Sequence, residues 1–561
     1  MRKIHLVVGV PLLAGALLIG ELSAIAEPAE TSGTKAVANP AIPGRYAEQQ
    51  INWKPCFPDG PPPGLPPGSE SLECGSFSSP RDWFRPDDKI DITVAVSRLR
   101  TTPEPKGSVV TNPGGPGAPG RTLPLAFLGR QKLLNSQEIV GMDPRGSGES
   151  SNITCGGQSS LGSDLDARDR GQANLDLILN SNKLIAQNCQ TRSGELGKYI
   201  NTEQTVRDID LLRVLLGREK INWVGYSGGT WLGVHYATAF PDRVGAFVLD
   251  SNVEFTTSFK ESFNWQPLGF ERRWREDFLN WVARYDALYH LGTTGEAARQ
   301  TYEAIRASLA RKPVLGAGQV LTANQLDYSI VPSLYSKDSF AGLANLLVSV
   351  RALTEQPAEA APARAAAAQV AEFRAKLAGQ DPMPMAPVDY ADAFPASFIS
   401  ITCNDTPWQG DEQSLIELSA RLGRDYPLIG WSWVAQPCVF WNRPNVNLPA
   451  PTGAGVPPVL MVQSTNDPAT PLEGAQRAHQ AFAGSRMLTV TGEGDHGIYA
   501  STGNTCVDDI VESYIVDGVV PAADLSCPGV PLPNPAAAAV ATTSGLTKVL
   551  EYRKIAGPLP R

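Results

Sequence analysis

Residues 220–240 read KINWVGYSGGTWLGVHYATAF, and the succession of residue types in this stretch decides the fold. The apolar run ending at Val224 has the character of a buried strand, and residues 230–240, closed by Pro241, have the character of a helix. Ser227 therefore falls on a strand-to-helix turn. Glycines at 225 and 229 are small enough to let strand and helix approach while the Ser hydroxyl is lifted clear of the sheet, which is the geometry of a nucleophile elbow. The helix that follows points its N-terminus at the hydroxyl and so favours negative charge there.

Upstream, Val206, Ile209, Leu212 and Leu215 recur at helical spacing, so the order is helix, strand, Ser, helix, strand. Gly245 to Asp250 is the strand after the elbow helix. Alternation of this kind predicts a mostly parallel sheet covered on both faces. Further upstream, Ile90, Ile92, Val94 and Val96 alternate as a half-buried strand, and residues 108–111 read as the next one. That strand runs into Asn112-Pro113-Gly114-Gly115-Pro116-Gly117, where side chains are nearly absent and backbone amides can approach a ligand. One oxyanion donor is then expected from Gly228, the residue after the nucleophile, and the second from Gly115 or Gly114. Residues 138–142 read as a strand leading to Asp143 and Arg145, a charged pair expected to brace the glycine loop.

From about 254 to 430 the character changes. Phe270, Trp274, Phe278, Trp281, Tyr285 and Leu288 recur every three or four residues, and residues 298–310 and 360–377 read as further helices. A helical cap over the site is expected, with the aromatic stripe as its core. The α/β pattern resumes with a strand at 457–463, a helix at 472–482, a strand at 487–490 and a last helix around Val507 to Ile515.

A Ser hydroxyl needs a base, and the base needs an acceptor on its other nitrogen. Of the five histidines, His5 lies in the leader, and His235, His290 and His479 fall within predicted helices. His496 alone sits in a glycine-rich loop directly after a strand, and Asp467 occupies the turn after the preceding strand. Asp495 is a poorer partner, because neighbouring side chains diverge. The chain order Ser227, Asp467, His496 is that of α/β-hydrolases.

Composition bounds the rest. The 561 residues, 42% of them hydrophobic, can bury a substantial core, and a net charge of −9 argues against nucleic acid or an anionic membrane as partner. The opening, with Arg2, Lys3, an apolar stretch at 6–19 and Ala24-Ile25-Ala26, reads as a signal peptide cleaved after Ala26, so a secreted, extracellular protein without a membrane span is expected. Eight cysteines, Cys56, Cys74, Cys155, Cys189, Cys403, Cys438, Cys506 and Cys527, suit an oxidising compartment. They allow 105 connectivities, of which pairing of neighbours in order is the expectation. No C-x-x-C or H-E-x-x-H occurs, and neither metal nor cofactor is expected. The expected organisation is signal 1–26, flexible lead-in 27–50, hydrolase core 51–253, cap 254–430, second core part 431–527 and tail 528–561. Oligomeric state is not legible from the chain.

Taken with NPGGPG at 112–117, DPRGSG at 143–148, GYSGGT at 225–230, CNDTPW at 403–408, PCVFW at 437–441, NDPATP at 466–471 and GDHG at 494–497, the chain resembles secreted tripeptidyl aminopeptidases and proline iminopeptidase-like serine peptidases of the α/β-hydrolase superfamily. The resemblance runs from Trp53 to Cys527. It implies a triad of Ser227, Asp467 and His496, and cleavage of residues or short peptides from free N-termini through an acyl-enzyme, with the cap admitting only a chain end. It departs from the family at Asp495, where a shorter G-x-G-H is common, and at WVARYDALYHLG, 281–292, where relatives often carry a cysteine pair. A protonated N-terminus needs a carboxylate, for which Glu254 and Asp405 are candidates, with Trp408 and Trp441 as candidate pocket walls. A carboxylesterase or lipase with the same triad, and a non-catalytic hydrolase-like binding protein, are the alternatives.

Overall fold

The structure is a computed structural model of the chain and describes residues 41–102, 104–316, 319–356, 361–378, 392–535, 552, 556 and 559–561. The expected signal peptide and most of the lead-in lie outside the described residues. Ten strands form one sheet: β1 (Lys54–Pro55), β2 (Leu72–Pro80), β3 (Asp91–Leu99), β4 (Gly107–Asn112), β5 (Gln137–Met142), β6 (Ile221–Tyr226), β7 (Val244–Asp250), β8 (Leu460–Ser464), β9 (Arg486–Thr491) and β10 (Leu525–Pro528). Their order across the sheet is β1-β2-β3-β5-β4-β6-β7-β8-β9-β10. The β1/β2, β2/β3 and β3/β5 pairs are antiparallel, and every pair from β5 to β10 is parallel.

The parallel strands read as continuous apolar runs because both faces are covered. Side-chain alternation sends Val109, Ile139 and Val224 to one core and Val110, Val140 and Trp223 to the other. Each of these side chains is at most 1% exposed, and burying one contributes about 1.5–3 kcal/mol. The helix Thr202–Leu215 buries Val206, Ile209 and Leu212 as its spacing predicts, and Asn201 caps it by accepting from Gln204 N at 2.9 Å. Strands β2 and β10, the helix Gln172–Arg192 and a hairpin at Val314–Gly316 and Gln319–Leu321 are not among the elements expected from the sequence. Strand β2, LECGSFSSP, shows no apolar alternation of its own and is held by a nine-residue antiparallel register with β3.

Between β7 and β8 lie helices running from Phe259 to Asp425. Phe270, Trp274, Phe278 and Trp281 are at most 2% exposed and pack with Tyr302, Phe340 and Leu343 as this region's own core. The expected stripe breaks at its end: the backbone leaves helical geometry at Tyr285 (φ −112°, ψ 29°), and Leu288 is turned out to 61% exposure. The four disulfides join Cys56–Cys74, Cys155–Cys189, Cys403–Cys438 and Cys506–Cys527, neighbours in order.

Candidate active site

Ser227 sits between β6 and the helix Gly228–Ala239 at φ 55° and ψ −124°, a conformation that costs a non-glycine residue about 1–3 kcal/mol. The surroundings hold it there. Its amide donates to Asp250 O at 3.0 Å, and its carbonyl accepts from Thr230 N at 2.9 Å. A Cβ on Gly225 would lie 2.4 Å from Gly229 O, so only glycine permits this approach of strand and helix. A Cβ on Gly114 would lie 2.4 Å from Tyr226 O and 2.9 Å from Ser227 Cβ, which puts the glycine loop after β4 directly against the hydroxyl-bearing residue.

Gly228 opens the helix, so its amide has no intrahelical acceptor. The structure separates the two loop glycines as partners for it. Gly114 N donates to Asn112 Oδ1 at 2.9 Å, and the loop turns so that a Cβ on Gly228 would lie 3.0 Å from Gly115 C. The Gly114 amide is thus already engaged, and the backbone at Gly115 is the part of the loop that lies against Gly228. Asp143 braces this loop, accepting from Gly120 N (2.9 Å), Arg121 N (3.1 Å) and Glu149 N (2.8 Å). Arg145 is fully buried and pairs through two nitrogens with Asp208, each bond 2.6 Å, tying the turn to the helix Thr202–Leu215.

His496 and Asp467 are brought together. His496 Nδ1 lies 2.9 and 3.0 Å from the two oxygens of Asp467, which is fully buried and also accepts from Ala469 N and Thr470 N. Thr470 Oγ1 stands 3.4 Å from the same ring nitrogen. With Nδ1 committed to a carboxylate, Nε2 is the nitrogen free to take a proton. The residues after His496 return to the strand end that anchors Ser227. Gly497 N donates to Ser251 Oγ at 2.7 Å, and Ile498 N and Tyr499 N donate to the Asp250 carboxylate at 3.0 and 2.7 Å. Burial pushes the Asp250 carboxyl up to about 7, although those amides pull the other way. Asp250 and Ser251 are functional scaffolding that the sequence reading misses, because a buried acid ending an apolar strand carries no spacing signal.

His235 and His479 fill structural places. His235 is buried against Trp231, 4.7 Å between rings, has no hydrogen-bond partner for either nitrogen among the described residues, and is pushed down to about 3 by burial. His479 spans Ser485 and Asp524.

A cavity of about 1040 Å³ lies above the site. Tyr335, on its wall, packs edge-on against the His496 ring at 5.1 Å. Pro395, Phe398 and Thr402, on the opposite wall, belong to the helix Ala393–Asp405, whose Phe394 and Ser397 would lie 3.0 Å from a Cβ on Gly115 and Gly117. The cavity thus adjoins the site through Tyr335 and through this helix, while Ser227, His496 and the glycine loop do not line it. Trp408 lines it beside Phe263, whereas Trp441 does not and instead donates to Asn404 Oδ1 at 2.8 Å.

Neither expected carboxylate stands on the cavity wall. Glu254 is 4% exposed and spends its oxygens on Arg477 Nε (2.7 Å) and Trp265 Nε1 (2.6 Å). Asp405 is 2% exposed and spends its own on Thr202 N (2.8 Å) and Trp231 Nε1 (3.2 Å); burial pushes it up to about 7. The carboxylate that does line the cavity among the described residues is Asp327, which accepts from Tyr302 Oη at 2.5 Å and Arg306 Nε at 2.7 Å. Around it Arg306 and Arg168 face Asp327, Asp166 and Glu303, two cations against three carboxylates, so the cluster carries one net negative charge.

Among the described residues no cluster of His, Cys, Asp and Glu could hold a metal ion, and no helix is long and apolar enough to cross a membrane. In sequence, residues 426–527 match a family described as "TAP-like protein". A tripeptidyl aminopeptidase of Streptomyces lividans is 32% identical over 514 residues, covering 88% of this chain and 89% of the relative. The serine protease Hip1 of Mycobacterium tuberculosis is 27% identical over 507 residues, covering 85% and 91%. Carboxylesterase B of the same species is 27% identical over 542 residues, covering 92% and 97%.

Proposed function

The chain belongs to the tripeptidyl aminopeptidase family of α/β-hydrolase serine peptidases, and from that premise we propose that it is an exported aminopeptidase releasing short peptides from free N-termini through Ser227, His496 and Asp467. The observation that carries the proposal is that one strand end, at Asp250, holds both a strained Ser227, lodged against the Gly114–Gly115 loop, and the loop of an imidazole whose Nδ1 is 2.9 Å from Asp467.

In this mechanism Ser227 Oγ adds to the scissile carbonyl carbon while His496 Nε2 takes its proton. Negative charge gathers on the carbonyl oxygen, where the amides of Gly228 and Gly115 donate to it. Collapse breaks the C–N bond, and the leaving amine takes the proton from the imidazolium. Water, deprotonated by His496, then adds to the acyl-enzyme and frees the N-terminal fragment and the hydroxyl. No metal or cofactor enters any step.

In this reading the cap expected at 254–430 selects for a chain end over a continuous chain. We assign the substrate ammonium to Asp327, the carboxylate on the cavity wall among the described residues, which shares that wall with Arg374 and already accepts from Tyr302 and Arg306. Export through the signal at 1–26 fits the four disulfides. A carboxylesterase activity is the second reading, since one relative bears that name. Mass spectrometry of products from free and N-acetylated peptides tests the proposal. Short N-terminal fragments from the free peptides alone are expected; equal cleavage of blocked peptides, or turnover of acyl esters only, would overturn it.

A further inference from the structure

His496 is held from above as well as from below. Its own amide donates to Tyr335 O at 2.9 Å, a carbonyl of the cap. The preceding residue, Asp495, accepts from Arg273 Nη2 at 2.6 Å and from Lys337 N at 2.8 Å, and Lys337 Nζ stands 3.7 Å from its second oxygen. Glu493 takes the Lys337 ammonium and folds back to accept from Gly494 N and Asp495 N at 2.9 and 3.1 Å. Arg273 also bonds Asp277 at 2.6 Å, and Asp277 in turn accepts from Asn466, the neighbour of Asp467, at 3.0 Å. Gly494 is pressed on the cluster, since a Cβ there would lie 2.0 Å from Arg273 Nη1.

Arg273, Lys337, Glu493 and Asp495 are each at most 3% exposed. Removing one partner from such a buried cluster leaves a charge uncompensated, so the cluster holds the cap and the His loop in one arrangement. Arg273 and Asp277 lie on a π-helical segment, Arg273–Leu279, whose wide turn lets residues four apart reach both the His loop and the Asp turn.

We infer that Arg273 and Lys337 are positioning residues for the base: through Asp495, Glu493 and Asp277 the cap sets where His496 and Asp467 stand, and its attachment therefore governs turnover rather than substrate affinity. The inference rests on the triad proposed above. It is tested in the full chain with Arg273→Met, Lys337→Met, the conservative Arg273→Lys, and Gly494→Ala, which keeps every charge and displaces the guanidinium. Steady-state constants are measured on a tripeptide anilide and on p-nitrophenyl acetate, an ester too small to depend on the cap for binding.

The expected result is a kcat lower by about 10- to 100-fold on both substrates, with the peptide KM within about 2-fold, as for a base displaced by a fraction of an ångström. Arg273→Lys is expected to recover most of the loss, and the rate of Ser227 labelling by a fluorophosphonate to fall in step with kcat. A raised peptide KM with kcat unchanged, or loss on the peptide with the ester rate intact, would overturn the inference and leave the cap a binding element only. If Arg273→Met does not fold, Gly494→Ala and Lys337→Met decide by the same criteria. Ser227→Ala keeps the two failures apart: retained turnover there sinks the triad, whereas a silent Ser227→Ala beside a wild-type Arg273→Met sinks this inference alone.

Discussion

The serine side and the histidine side of the cleft are built in opposite ways. Ser227 is held by its own strand and helix, by the glycine loop after β4 and by Asp143 behind that loop, all within the sheet layer. His496 hangs on a loop fixed to the sheet on one side and to the cap on the other, Arg273 lying 222 residues from Asp495 and Lys337 lying 158 residues away. One half is local geometry stiffened by glycine; the other is a long-range charge network. Asp250 joins them, its carbonyl on the Ser227 amide and its carboxylate on the amides after His496. On the proposed assignment the nucleophile is preorganised by backbone strain, and the base by the seating of the cap.

This contrast can be broken in graded steps. Ser227→Ala removes the nucleophile and should lower kcat by about a millionfold with the melting temperature unchanged; near-normal turnover would take Ser227 out of the chemistry. Asp467→Asn leaves the ring in place but spoils its tautomer, and about a ten-thousandfold loss is expected in steady-state assays. Asp250→Asn cuts the joint between the halves. A loss of about 10- to 100-fold in kcat, together with a lower melting temperature, is the expected signature, and a change in KM alone would show that Asp250 does not hold the two halves in register.

Smaller effects separate substrate contact from framework. Asp327→Asn should raise KM for free-amine peptides by about 10-fold and leave p-nitrophenyl acetate untouched, as expected for loss of one ion pair of about 1.4 kcal/mol. Glu254→Gln and Asp405→Asn should instead lower the melting temperature with both KM values unchanged. A KM rise confined to free-amine peptides would return those two acids to the role the sequence suggests.

Asp405 also predicts a pH dependence. Its folded value, about 7, is above its ordinary value, so between roughly pH 4 and 7 the folded state holds a proton that the unfolded state has released. Its contribution to stability must then fall as pH rises through that window, by at most about 1.4 kcal/mol per pH unit. Thermal melts of wild type and Asp405→Asn should show the wild-type advantage shrinking from pH 4 to 7. An advantage that grows over this range would contradict it.

The Ser half was legible because its determinants lie close in sequence. Apolar periodicity marks β6 and the elbow helix, and the NPGGPG loop announces itself by composition. The in-order disulfides were legible for the same reason, since each closes a short loop. Strand β2 was not, because its order comes from pairing with β3 and not from its own residues. Glu254 and Asp405 were plausible ligands as isolated acids, and only coordinates reveal that Arg477, Trp265, Thr202 and Trp231 already occupy them.

By itself, then, the sequence determined a mostly parallel α/β sheet interrupted by a helical region, and singled out Ser227, Asp467 and His496 as the residues proposed to react, because strand and helix periods and turn chemistry are properties of neighbours along the chain. Tertiary structure alone decided how closely the glycine loop approaches Gly228, which carboxylate reaches the cavity, and that Arg273 and Lys337 grip the His loop. Those are matters of burial and of contacts between residues hundreds of positions apart, and a buried charge takes its meaning from the partner that neutralises it.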